Sequence, residues 1–228
     1  MQPRRLIVAA IVAAALALTA PAHTSQGVHP VSGRTFAPVM GASGAGWLER
    51  AEREAEEAPE AALDALNITK GSTVADVGAG SGYFTVRLSA RVGAAGRVLA
   101  TDLQPEMIDL LRTRLAERRI TNVTLIQGAI DDPKLPPSSI DLALLVDVYH
   151  EFSAPQAMLR RIREALKPDG RLVLLEYRKE DPNVPIRFEH KMSVAEAKLE
   201  IEDEQFQLVA VDERLPRQHI LIFARRER

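Results

Sequence analysis

The 228-residue sequence predicts an α/β fold: a doubly wound, mostly parallel seven-stranded sheet with helices on both faces and a C-terminal antiparallel hairpin. Three observations predict it. From Thr73 onward, short apolar runs alternate with segments of helical periodicity, the pattern of a parallel sheet crossed by helices. Ile140–Val146 is a nearly uninterrupted apolar run, as expected of a strand covered on both faces. The last two strand-like runs are separated by too few residues for a parallel crossover, so they must pair antiparallel.

The elements follow in order. WLERAEREAEEAPEAALDALN, from Trp47, reads as helix with a weak spot at Pro59, its charges forming a solvated face. Val74–Val77 is the first strand and about Tyr83–Val92 the helix after it. Arg97–Thr101 is the second strand. Gln104–Arg119 is an amphipathic helix, with Met107, Leu110, Leu111 and Leu115 near helical spacing. Val123–Gln127 and Ile140–Val146 are the third and fourth strands. Ser153, with Gln156 three residues on, fits a capping box opening a helix to Leu166, which Lys167-Pro-Asp-Gly170 stops. Leu172–Tyr177 is the fifth strand. Ser193 and Glu196 form a second capping-box pattern, for a helix to about Glu204. Phe206–Arg214 and His219–Ala224 complete the hairpin. Crossovers between the parallel strands are expected to be right-handed.

Composition sets limits. The chain is 46% hydrophobic and 26% charged, which excludes wholesale disorder, and its length suits one sizeable core. A net charge of -2 offers no global attraction to nucleic acid or an anionic membrane. With no cysteine there is no disulfide, thiol nucleophile or thiolate metal site. The first residues read as a secretory leader: a basic start, MQPRR, then the apolar Leu6–Ala20, then small residues around Ala20-Pro21-Ala22. Fifteen helical residues reach only ~22 Å, short of the ~30 Å hydrocarbon core. The expected organisation is therefore a signal peptide over 1–22, a flexible linker over 23–46 rich in glycine, and one domain over 47–228. It implies a periplasmic or secreted protein, with membrane anchoring by an uncleaved leader as the alternative. Removing the leader leaves 27 basic and 31 acidic residues.

VADVGAGSGYF, residues 74–84, carries the main functional signal. Gly78, Gly80 and Gly82 follow a strand, where something must approach the backbone closely. A dinucleotide fingerprint needs glycine at 83, which is Tyr, and no lysine follows for a phosphate loop. Asp102 ends the second strand 20 residues after Gly82, placed to accept hydrogen bonds from a ribose diol. The order D-x-G-x-G-x-G at Asp76–Gly82, then Asp102, the Gln127–Asp131 segment, Asp147 and LKPDGRLVLLEY, resembles class I S-adenosylmethionine-dependent methyltransferases over roughly 71–225. The fifth-strand turn departs from the family's usual Pro-Gly. The resemblance implies S-adenosylmethionine as cofactor. It also implies a cofactor set of Asp76, Gly78, Ala79, Gly80, Gly82, Tyr83, Asp102, Leu103, Gly128, Ala129, Ile130 and Asp147. Asp76 would meet the cofactor's ammonium, directly or through water, and Leu103 would cover adenine.

Candidate catalytic residues gather after the fourth strand. His150 is a candidate base, Glu151 its orienter or a contact for a substrate cation, and Tyr149 a pocket wall. His190, in the insertion after the fifth strand, is a candidate for substrate contact or catalysis. His219 reads as an edge residue. No His/Asp/Glu spacing marks a metal site. There is no N-P-P-Y-type motif after the fourth strand and no basic or aromatic stripe, which argues against nucleic-acid methylation. The leading expectation is an exported methyltransferase acting on a small-molecule or lipid-like acceptor. A catalytically silent ligand-binding module on the same fold is the alternative, and a nucleotide-dependent oxidoreductase is disfavoured by Tyr83. Membrane contact is expected only through an uncleaved leader.

Overall fold

The computed structural model describes residues 27–226; the leader expected over 1–22 lies outside them. Seven strands form one sheet: β1 (Thr73–Val77), β2 (Arg97–Asp102), β3 (Val123–Gln127), β4 (Ile140–Val146), β5 (Leu166–Tyr177), β6 (Phe206–Asp212) and β7 (Gln218–Arg225). Their order is β3-β2-β1-β4-β5-β7-β6. The first five run parallel, and β7 pairs antiparallel with both β5 and β6. The hairpin thus enters the sheet by its second strand and leaves β6 as the edge.

The pleat explains the two cores. Successive strand residues point to opposite faces. Val74, Leu142, Leu144, Val173 and Leu175 face one side, with α3 (Pro59–Ala65) and α4 (Tyr83–Val92) packed on them. Ala75, Ala143, Leu145, Leu172 and Leu174 face the other, under α6 (Pro155–Ala165) and α7 (Val194–Asp203). Helix α5 (Pro105–Glu117) seats Leu111 and Leu115 beside Ala100. β4 is apolar throughout its centre because both faces are covered.

Several local expectations change. The Trp47 segment is three short helices, α1 (Ala45–Leu48), α2 (Arg53–Glu57) and α3, broken at Ala58, which takes φ 47° before Pro59. Its charges are not all solvated: Arg53 and Glu57 are buried, 2.6 Å apart, and Glu57 also accepts from the Tyr177 hydroxyl at 2.8 Å. Ser153 does not cap α6. The cap is Ala154, with no side-chain bond, and Pro155 at the first turn fixes the entry by its ring and brings no N–H to be capped. The Ser193–Glu196 box forms with both reciprocal bonds.

The linker expected over 23–46 is, in its described part, docked on the domain. Arg34 makes a two-pronged ion pair with Glu200 of α7, 2.9 Å on each arm, and donates to the His150 carbonyl. His29, Phe36 and Ala37 are buried with it. The glycine and proline content sets tight turns here, and scattered anchors rather than a periodic face do the packing.

Candidate functional site

Strand order reverses where β1 lies between β2 and β4, and a cleft opens beyond the strand ends there. The space between its walls, open solvent at the mouth included, is about 1010 Å³. The loop after β1 forms its floor. Gly78 and Gly80 take φ of 74° and 53°, the left-handed region that suits glycine. A Cβ on Gly78 would lie 2.5 Å from Val148 Cγ2. The Gly78 and Ala79 N–H groups both donate to the Thr101 carbonyl, so the loop lies across the end of β2. Asp102 completes the join. Its Oδ2 accepts from Gly80 N–H and its Oδ1 from Gln104 N–H, both at 2.9 Å.

Of the residues singled out by the sequence, Gly78, Gly80, Asp102, Leu103, Gly128, Ala129, Ile130, Asp147 and Glu151 line this cleft. Others stand outside the lining. Asp76 is buried behind the loop, its Oδ2 accepting from the Thr85 hydroxyl at 2.5 Å. Ala79 packs beside Leu111, and a Cβ on Gly82 would run into the same leucine. Tyr83 is buried, its hydroxyl donating to Glu54. Tyr149 does not wall the pocket: it is fully buried, edge-on to Phe152 and 5.7 Å from the Arg34 guanidinium. His150 is also buried, with Nδ1 2.6 Å from Glu176 and Nε2 3.1 Å from Nδ1 of the half-buried His190. His219 sits between Glu213 and Glu180 on the far hairpin.

The cleft gathers three carboxyl groups, Asp102, Asp147 and Glu151, together with the Arg53 guanidinium. Asp147 takes φ 49°, unusual for a residue with a side chain, and its N–H donates to the Leu175 carbonyl. Its Oδ2 accepts from Gln218, whereas its buried Oδ1 has no partner. Burial raises the Asp147 carboxyl well above the ordinary range, and the charges of Glu57 and Glu176 raise it further. Burial also raises Asp102 and lifts Glu151 to about 7. Burial thus favours the neutral carboxyls, and a cation bound beside them would shift them back toward the ionised form.

Sequence reasoning missed several lining residues: Val39, Met40, Trp47, Leu48, Arg53, Gln104 and Phe152. Met40 is held by Gln104, which accepts from Ala42 N–H and donates to the Met40 carbonyl. The lone tryptophan of the chain was the available signal. The others come from segments that carry no motif.

A family model described as "Methyltransferase domain" matches residues 68–218. The chain belongs to that methyltransferase family. Its cofactor is S-adenosylmethionine, as the solved relatives indicate. A SAM-dependent methyltransferase from Aquifex aeolicus is 26% identical and superposes with a TM-score of 0.76, over 82% of this chain and 98% of that one. The methyltransferase resemblance extends to curated relatives. The demethylmenaquinone methyltransferase of Tropheryma whipplei is 40% identical over 119 residues, 51% of this chain and 46% of that protein. The ubiquinone/menaquinone biosynthesis C-methyltransferase UbiE of Azotobacter vinelandii is 29% identical over 118 residues, 51% of this chain and 47% of that protein. The chain spans about half the length of these curated relatives.

Proposed function

We propose that this methyltransferase carries a methyl group from S-adenosylmethionine to a small, largely apolar, lipid-like acceptor of the quinone-ring type. The observation that carries the reading is Asp102, a buried carboxylate held on both oxygens by backbone N–H groups beside a side-chain-free loop. A carboxylate so fixed, with lone pairs to spare, receives a ribose diol without reorganising. The orphan Oδ1 of Asp147 offers a counter-charge to a cationic methionine tail, and that cation in turn favours the ionised carboxylate. Leu103 and Ile130, half exposed at the rim, provide apolar cover for a base.

When bound, the cofactor supplies an electrophilic methyl group; the protein's part is alignment and exclusion of water. Val39, Met40, Trp47 and Phe152 give the cleft an apolar wall suited to a flat ring. Glu151 is the one member of the Tyr149–Glu151 patch on that wall, and its Oε1 accepts from Met40 N–H. It is the group placed to meet a polar substituent of the acceptor, with His150 and His190 behind it. The quinone-ring class is favoured by the two curated relatives, whose names refer to demethylmenaquinone and to ubiquinone/menaquinone biosynthesis.

Isothermal titration with S-adenosylmethionine tests the first half: saturable one-to-one binding is expected, and none at millimolar ligand to folded protein would end the reading. Mass detection of S-adenosylhomocysteine formed with demethylated quinone analogues tests the second. The apolar leader pattern supports export as part of the same proposal. Cell fractionation with N-terminal sequencing would show the chain outside the cytoplasm and starting near residue 23. Among the described residues no helix is long and apolar enough to cross a membrane.

A further inference from the structure

His190 converges on the adjacent His150 and Glu151 although it lies 40 residues beyond His150 in the chain. One ligand atom from each lies within 4.8 Å of the others. The two imidazole nitrogens are 3.1 Å apart, and His190 Nδ1 is 3.9 Å from Glu151 Oε1. A tetrahedral ion with bonds of about 2.0–2.1 Å to nitrogen and oxygen spaces its ligands by roughly 3.3 Å. The first edge therefore already fits, the second is longer by about half an ångström, and the third, His150 to Glu151, lies within 4.8 Å, so a rotation of the Glu151 side chain is what must draw the carboxylate in.

The surroundings match the way such sites are built. Glu176 has no exposed surface; one oxygen accepts from Tyr149 N–H at 3.0 Å and the other faces His150 Nδ1 at 2.6 Å. A carboxylate there holds the proton on Nδ1 and turns the Nε2 lone pair outward, as outer carboxylates do behind metal-binding histidines. The rings of His150 and His190 meet edge-on, at 85° with centroids 5.1 Å apart.

We propose that His150, Glu151 and His190 form a binding site for one divalent first-row transition ion, zinc-like in preference, with Glu176 as the positioning residue behind His150. Two imidazoles and a carboxylate without thiolates suit that class of ion and not the hard, all-oxygen preference of magnesium or calcium. Three protein donors leave a position for water or an acceptor oxygen, and Glu151 sets the site against the cleft wall. The inference does not depend on methyl transfer, and its test needs no cofactor. The alternative for the same geometry is a proton shared between the two rings.

The test uses the untagged chain, stripped with chelator and shown folded by circular dichroism. It is titrated with cobalt(II), followed by visible absorption, and then with zinc in competition. One equivalent is expected to bind with the intense d–d bands of low-coordinate cobalt. His190→Ala alters a partly exposed side chain and Glu151→Gln is nearly isosteric, so both keep the fold where His150→Ala would endanger it. Each should weaken affinity at least tenfold, and Glu176→Gln should do so by roughly 10–100-fold. No saturable uptake of either ion at millimolar concentration, or unchanged affinity in His190→Ala or Glu151→Gln, would overturn the proposal.

Discussion

Asp102 fastens the glycine loop to the end of β2 while facing the cleft, so its loss should be felt in binding before stability. Asp102→Ala is expected to keep the fold and weaken S-adenosylmethionine binding by roughly tenfold to a hundredfold, the range for hydrogen bonds to a charged group. Titration calorimetry with a parallel thermal melt separates the two effects; unchanged affinity would remove the diol assignment. Asp76 should behave in the opposite way. Burial lifts its carboxyl to about 6, with the nearby Asp102 adding to the rise and Thr85 and Arg53 opposing it. The folded chain therefore holds a proton that the unfolded chain releases at lower pH. This contribution favours the fold below the ordinary carboxylate range and is lost as pH rises toward 6. Asp76→Asn removes it: near pH 4 the variant should match the parent, and near pH 7 it should be more stable by up to about 3 kcal/mol. Urea melts at the two pH values decide it. The residues that the sequence made visible, Gly78, Gly80, Asp102 and Asp147, share one cause. Each sits at a strand end, where the parallel sheet forces ligand contacts to gather. Asp76 lies in the same motif, but the pleat turns its side chain into the wall, and no motif reports which way a side chain leans.

At the scale of elements, apolar runs located every strand, most sharply the central β1, β4 and β5, where both faces of the sheet are covered. Ends were less legible. β5 starts at Leu166, through Lys167-Pro-Asp-Gly170, because Leu166 pairs with Ile140 across a register shift. The largest surprise is the segment before α1. A run rich in glycine, with no period, reads as a tether, yet His29, Arg34 and Phe36 within it are buried. Removing one partner of a buried ion pair leaves the other unpaired, so Arg34→Ala should cost about 3–5 kcal/mol. It should also raise proteolysis between residues 27 and 41 ahead of global unfolding. Limited digestion beside a denaturant melt checks both, and an uncut segment in the variant would refute the docking.

For the whole molecule, the cleft draws on the docked segment, the loops after β1, β2, β3 and β4, and helix α2. Binding should therefore tie these parts together. At a hundredfold excess of S-adenosylhomocysteine over its dissociation constant, stability should rise by about 2.7 kcal/mol. Hydrogen exchange should slow around Val39 and Met40 as well as in the glycine loop. Protection confined to the loop would mean that the segment does not belong to the site. The convergence of His150, Glu151 and His190 also belongs to this scale. Their spacing along the chain matches no metal motif, and only the return of the insertion after β5 onto the end of β4 brings them together.

The sequence by itself determined the sheet, its antiparallel edge, the glycine loop after β1 and the carboxylate that ends β2. Those features follow from local periodicity and from residue types that a single turn requires. Tertiary structure alone decided which side chains face the cleft, that Val39 and Met40 of the segment before α1 help wall it, and that two histidines and a glutamate meet beside it. Such facts depend on contacts between segments far apart in the chain, whose closeness is set by packing the sheet and helices and is written in no one stretch of residues.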